Sequence, residues 1–126
     1  MIIDYLITLG AFFGIDIFWI KYAARKLYRE QIGYLLTKKP NRIAALIFYL
    51  LFIIGLLVFV IYQSASWVQA LSLGALFGLI TYATYDLTNL ATIKKWPLKI
   101  TIIDMTWGAV LSALVSVISY SIINLV

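Results

Sequence analysis

Residues 43–62, IAALIFYLLFIIGLLVFVIY, carry no charge and no amide, and their only polar side-chain groups are two tyrosine hydroxyls. As a helix rising ~1.5 Å per residue, such a run is about 30 Å long, the thickness of a bilayer's hydrocarbon core. A chain of 126 residues has no soluble interior able to surround such a rod on every side. The rest of the sequence agrees, being 64% hydrophobic overall with a mean hydropathy of +1.02, where a soluble domain is about half apolar. The expected fold class is therefore all-α: a polytopic membrane protein, a four-transmembrane-helix bundle forming one domain over residues 1–126. The helices are expected at about 2–20, 42–62, 68–93 and 98–123. The first stretch has only Asp4 as a charge in residues 1–10. It lacks the basic start of a signal peptide and is read as a retained first helix.

Charge sets the expected orientation. All ten Lys and Arg fall between Lys21 and Arg42 or between Lys94 and Lys99. The QSASW turn and both ends carry no basic side chain. By the positive-inside rule the two basic loops are expected in the cytoplasm and both termini outside. The net charge of +5 follows from these loops, so nucleic acid is not an expected partner. Tyr62, Trp67 and Tyr120 suit the outer interface, and Trp19, Tyr22 and Trp96 the inner one. Between the first two helices, Ala24, Leu27, Tyr28, Gln31, Leu35 and Leu36 recur at steps of about three and four against Arg25, Lys26, Arg29 and Lys38. This amphipathic basic segment is expected to lie in the headgroup region.

Three carboxylates then share one depth. Asp16 precedes Lys21 by five residues, Asp104 follows Lys99 by five, and Asp86 precedes Lys94 by eight. All three lie about 7–12 Å inside the inner boundary. Intramembrane charges are expensive and face the bundle interior or a partner. Small residues lead to two of them. Ala70, Gly74, Gly78, Tyr82 and Asp86 are spaced by four, as are Asp104, Gly108, Ser112 and Ser116. Such stripes let helices approach closely in lipid. A hairpin of the last two helices along them would bring Asp86 and Asp104 together, with Asn89 as the nearest neutral donor. Ile15-Asp16-x-x-Trp19 and Ile103-Asp104-x-x-Trp107 repeat one pattern on helices running in opposite directions. The repetition is read as coincidence, but it puts an indole N–H one turn from each carboxylate.

The candidate layer is thus Asp16, Asp86, Asn89 and Asp104, with Trp19, Trp107, Tyr82 and Tyr85 around it. Two readings stand side by side. The carboxylates pin the bundle through Tyr, Trp or Asn donors, with Arg42, Lys21 and Lys99 snorkelling towards them. Or the layer binds a proton, a cation or a lipid headgroup. There are no histidines and no cysteines, which removes Ser-His and Cys-His nucleophile pairs and zinc sites of the usual kind. A hard cation could use the aspartates as oxygen ligands, but spacing singles out no metal site, and no cofactor is expected.

The stretches FFGIDIFWIKYAARKLYREQIGYLL, AALIFYLLFIIGLLVFVI and GALFGLITYATYDLTNLATIKKWPLKITIIDMTWG cover most of the chain. In them the chain resembles a bacterial domain-of-unknown-function family of small, predicted four-helix membrane proteins. The residues that carry the resemblance most are Tyr85-Asp86-Leu87-Thr88-Asn89-Leu90-Ala91-Thr92, Trp96-Pro97, Asp104 and Trp107-Gly108. It implies this fold and a multi-pass location in the bacterial inner membrane, and it implies no activity. The expected function is a non-enzymatic membrane protein whose Asp/Asn layer pins the bundle and binds a proton, cation or headgroup. It would act in contact with membrane lipid, as a homo-oligomer or within a larger membrane complex. The alternative is an enzyme, or a subunit of one, that modifies membrane lipid.

Overall fold

The computed structural model describes residues 1–125. Among these, four helices are long and apolar enough to cross a membrane: α1 (Ile2–Leu35), α2 (Arg42–Ile61), α3 (Trp67–Thr92) and α4 (Leu98–Leu125). Local chemistry marks their ends. The Asn41 side chain accepts the Ala44 N–H at 3.1 Å to start α2. Ser66 accepts the Gln69 N–H at 3.1 Å to start α3, and Gln69 reaches back to the Ala65 N–H at 2.7 Å. These side chains fill orphan donors of a first turn, each cap stabilising by about 1 kcal/mol. After α3, Lys95 turns the chain with φ 62°, and Pro97 leads into α4, its carbonyl accepting the Thr101 N–H at 3.3 Å.

The α3–α4 hairpin is the spine of the bundle. Ala70, Gly74, Gly78 and Asp86 are the buried residues of α3, and Gly108, Ser112 and Ser116 are among those of α4. A Cβ placed on Gly78 would collide with the Gly108 carbonyl and lie 2.5 Å from Ser112 Oγ. On Gly74 it would lie 2.6 Å from Ser116 Oγ and 2.8 Å from the Ser112 carbonyl oxygen, and on Gly108 it would fall inside the Tyr82 ring. The two backbones therefore touch where the side chains are smallest, as the stripes require.

α1 packs on this hairpin, burying Thr8, Phe12 and Asp16. α2 joins from Tyr49 onward. Phe52, Ile53, Leu56, Leu57, Val60 and Ile61 close a core with Phe12, Leu111 and Val115, and Gly55 receives the Phe77 ring. Tyr62 donates to Asp4 Oδ2 at 2.7 Å and Tyr5 to the Leu50 carbonyl at 3.2 Å, clamping this end. By contrast, every residue from 42 to 48 is exposed.

At the basic end the structure departs from expectation. α1 does not stop near residue 20 but runs on through the amphipathic segment. Instead of lying flat as a separate interfacial helix, the segment packs on the α3–α4 turn. Ile32, Trp96 and Ile100 form a second core, flanked by Leu27, Tyr28, Leu90 and Ile93, and the Tyr34 hydroxyl bonds to the Lys95 carbonyl. Leu35 and Leu36, expected on the apolar side, are exposed. Trp96, expected as an interfacial anchor, is only 8% exposed, its indole N–H donating to Thr101 Oγ1 at 3.0 Å. The protein's own turn gave the apolar face something to cover.

The continuation depends on a π-helical turn at Ile20–Ala24. Tyr28 is twelve residues after Asp16, so in a regular α-helix it would point ~120° away from it. A π turn absorbs one extra residue, cutting that difference to about 20°. Asp16, Ala24, Tyr28 and Ile32 thus all turn towards the bundle.

Two predictions follow from this packing. Gly78→Leu should destabilise the protein by at least about 1–3 kcal/mol, because the obstacle is backbone, whereas Gly10→Leu should be tolerated, since nothing lies within 4 Å of a Cβ there. Equal melting temperatures of the two variants in detergent would refute the backbone contact. Deleting Ala23 should convert the π turn to an α turn and keep Tyr28 in phase. Deleting Gly14 should rotate Thr8 and Phe12 by about 100° relative to Tyr28 and unfold the bundle. Comparable melting temperatures for the two deletions would refute the phase argument.

Candidate functional site

The three carboxylates sit between the two apolar cores. Asp16, on α1, is 8% exposed and accepts the Trp107 indole N–H at 3.4 Å. Asp104, on α4, accepts the Tyr28 hydroxyl at 2.5 Å on Oδ1. Asp86, on α3, is 1% exposed, and neither of its oxygens has a hydrogen-bond partner. It shares the wall of one cavity with Asp104. Two carboxylates are acceptors only, so they satisfy each other only with a proton or a cation between them.

The two Ile-Asp-x-x-Trp patterns, read above as coincidence, meet in space. Trp19 and Trp107 stack with ring centroids 4.4 Å apart and planes at 11°. Each indole lies near the other helix's end of the layer, and Trp107 donates across to Asp16 rather than to Asp104 on its own helix. The matching bond from Trp19 to Asp104 is absent. Tyr28 takes the Asp104 oxygen instead, and the Trp19 N–H is buried without a partner. Trp19 is therefore a member of the layer and not an interfacial anchor.

Asp104 is the hub of three cavities. One of about 160 Å³ is lined by Asp16, Trp19, Tyr28, Tyr49 and Trp107 as well as Asp104. A second, of about 210 Å³, joins Asp104 to Asp86, Tyr28, Tyr85 and Trp96. A third, of about 290 Å³, runs from Asp104 past Thr81, Tyr82 and Tyr85 to Phe48 on α2. No Lys or Arg lines any of them. Lys21, Arg42 and Lys99, expected to reach the layer, do not pair with it. The one ion pair among the described residues joins the Met1 ammonium to Asp4 at 3.9 Å.

Of the expected layer, the structure brings together Asp16, Asp86, Asp104, Trp19, Trp107, Tyr82 and Tyr85. Asn89 stands apart: its neighbour is the Tyr85 hydroxyl, and it gives no bond to Asp86. One turn beyond Asp86 on the same helix, it lines none of the three cavities. Tyr28 and Phe48 were not among the expected residues. Tyr28 reads as part of an amphipathic loop, and only the π turn puts it in the layer. Chemically the arrangement offers anionic oxygens, aromatic faces and no base other than the carboxylates themselves. It suits holding positive charge.

A comparison with curated proteins and one with solved structures each give no match. A family model described as a predicted membrane protein, DUF2177, matches residues 1–121. The match covers the first three helices, most of α4, the three aspartates and the Trp96-Pro97 turn, so the chain belongs to the DUF2177 family of predicted membrane proteins.

Proposed function

We propose that the protein is non-enzymatic and that its Asp86–Asp104 pair binds a proton or a cation inside the membrane, while Asp16, Tyr28 and Trp107 pin the helices around it. One observation carries this reading. Asp86 is buried with both oxygens unpartnered and lines one cavity with a second carboxylate, Asp104. An unsatisfied buried polar group costs about 1–3 kcal/mol, and a charged one more. Pinning accounts for Asp16 and Asp104, which have donors, but not for Asp86. The titratable neighbours are Asp16 and Tyr28 on α1, Tyr49 on α2, and Tyr82 and Tyr85 on α3. None of them brings positive charge, so the compensating charge is a bound species. The assembly is expected to work in contact with lipid, as an oligomer or with a partner.

The site also implies an orientation. The ten basic residues gather at the end where Ile32, Trp96 and Ile100 pack. Under the positive-inside rule that end lies in the cytoplasm, in the inner membrane of a bacterium, with both termini outside. Single cysteines at Ser64 and Ser66 should then react with an impermeant thiol reagent added to intact cells, and one at Lys38 should not. The reverse pattern would overturn the orientation.

The binding role is tested by tryptophan fluorescence, since Trp19 and Trp107 adjoin Asp104. In the wild-type protein the signal should change with pH or with added monovalent or divalent cation. In Asp86→Asn the response should vanish while the melting temperature stays within a few degrees, because the Asn amide can donate to Asp104. A wild-type signal that is indifferent to pH and to cations would dispose of the binding role and leave pinning alone.

A further inference from the structure

We infer that the aspartate pair takes the primary ammonium group of an amphiphile that reaches it sideways from the bilayer, between α2 and α3. This rests on the cation reading above and names its ligand. The access route is the cavity of about 290 Å³ lined by Phe48, Thr81, Tyr82, Tyr85 and Asp104. Phe48 belongs to the part of α2 that no protein covers: residues 42–48 are all exposed, and Phe48 itself is 47% exposed. The route thus begins at the side of the bundle, where an acyl chain lies, and ends on a carboxylate.

The walls fix the chemistry of the occupant. Apart from Thr81 and the tyrosine hydroxyls, the route is lined by ring and methyl surface, which suits an apolar body. Its end holds Asp104 and, in the adjoining cavity, the two unpartnered oxygens of Asp86. A primary ammonium carries three N–H donors on one atom, enough to bond both oxygens of Asp86 and one of Asp104. The faces of Tyr82 and Tyr85 add cation–π attraction. A quaternary ammonium has no N–H and would leave Asp86 unsatisfied. A divalent metal ion wants about six oxygen ligands, more than two carboxylates and a ring-lined cavity supply, and the described residues hold no three-carboxylate metal cluster. A proton would satisfy the pair but gives no use to a route open to the membrane.

The test uses the whole protein in nanodiscs of phosphatidylcholine, which has no primary amine. Tryptophan fluorescence is followed while dodecylamine, dodecyltrimethylammonium, dodecanol or ethylamine is added. Dodecylamine should give a saturable change, at least about tenfold tighter than any of the other three, the difference expected for charge-assisted hydrogen bonds. Asp86→Asn should weaken it by at least about tenfold. Thr81→Phe, which fills the route without touching a carboxylate, should weaken dodecylamine equally and leave the response to pH and cations in place. Ethylamine binding as tightly as dodecylamine, or Thr81→Phe leaving dodecylamine unaffected, would overturn sideways access while the cation reading stands. An unchanged dodecylamine response in Asp86→Asn would mean partition into the bilayer and overturn the assignment. If neither amines, protons nor metal ions alter the signal, the cation reading falls as well. Should Asp86→Asn fail to fold, the ligand series on the wild-type protein and Thr81→Phe decide the question.

Discussion

Everything in this bundle hangs on the distance at which the α3 and α4 backbones can pass each other. With the Gly108 carbonyl pressed where a Gly78 Cβ would be, the two helices are held closer than ordinary side chains allow. That closeness has a chemical result at the end of the stripe. Asp86 and Asp104 arrive on the wall of one cavity, a juxtaposition that two ionised groups would resist. In lipid, where apolar side chains gain little by leaving their solvent, packing of small residues is the main force available to impose it. The hairpin is thus both the fold's spine and the device that sets the chemistry of the layer.

The neighbouring helices then divide the work. α1 supplies Tyr28 for Asp104 and its own Asp16 for Trp107, so it ties the layer at two depths. The indole stack of Trp19 on Trp107 fills the space between them. These bonds give Asp104 and Asp16 each a donor from the protein itself. They also isolate Asp86 as the one that has none.

The sequence made some of this legible and hid the rest for identifiable reasons. Spacing of four between Ala70, Gly74, Gly78 and Asp86 survives intact in the structure because α3 is a regular helix throughout. The shared depth of Asp16, Asp86 and Asp104 could be counted from Lys21, Lys94 and Lys99 because rise per residue is constant. Tyr28 could not be placed, since no residue pattern announces the π turn that brings it round. The meeting of Trp107 with Asp16 depends on how α1 and α4 lie together, which neither motif encodes alone. Asn89 looked close to the layer because helical spacing places it near Asp86, but spacing along one helix says little about reach towards the next. α2 was the least readable of all. Its surface is apolar on every side, so lipid-facing and protein-facing positions have the same composition, and the unpacked stretch at residues 42–48 leaves no trace in the sequence.

That half-packed helix has a mechanical meaning. α2 is fastened from Tyr49 onward by its packing on Phe12 and Phe13, by the Tyr5 and Tyr62 hydroxyls and by the Phe52, Ile53 and Leu56 core, while the seven residues from Arg42 to Phe48 extend from the fastening like the free arm of a lever. That arm is about 10 Å long. A swing of about 10° around the fastened part moves its tip, at Arg42, by about 2 Å, while the Phe52, Ile53 and Leu56 core stays in place. Ile43, Leu46 and Ile47 on that arm are exposed, so its position answers to whatever packs against it, lipid or a second protein.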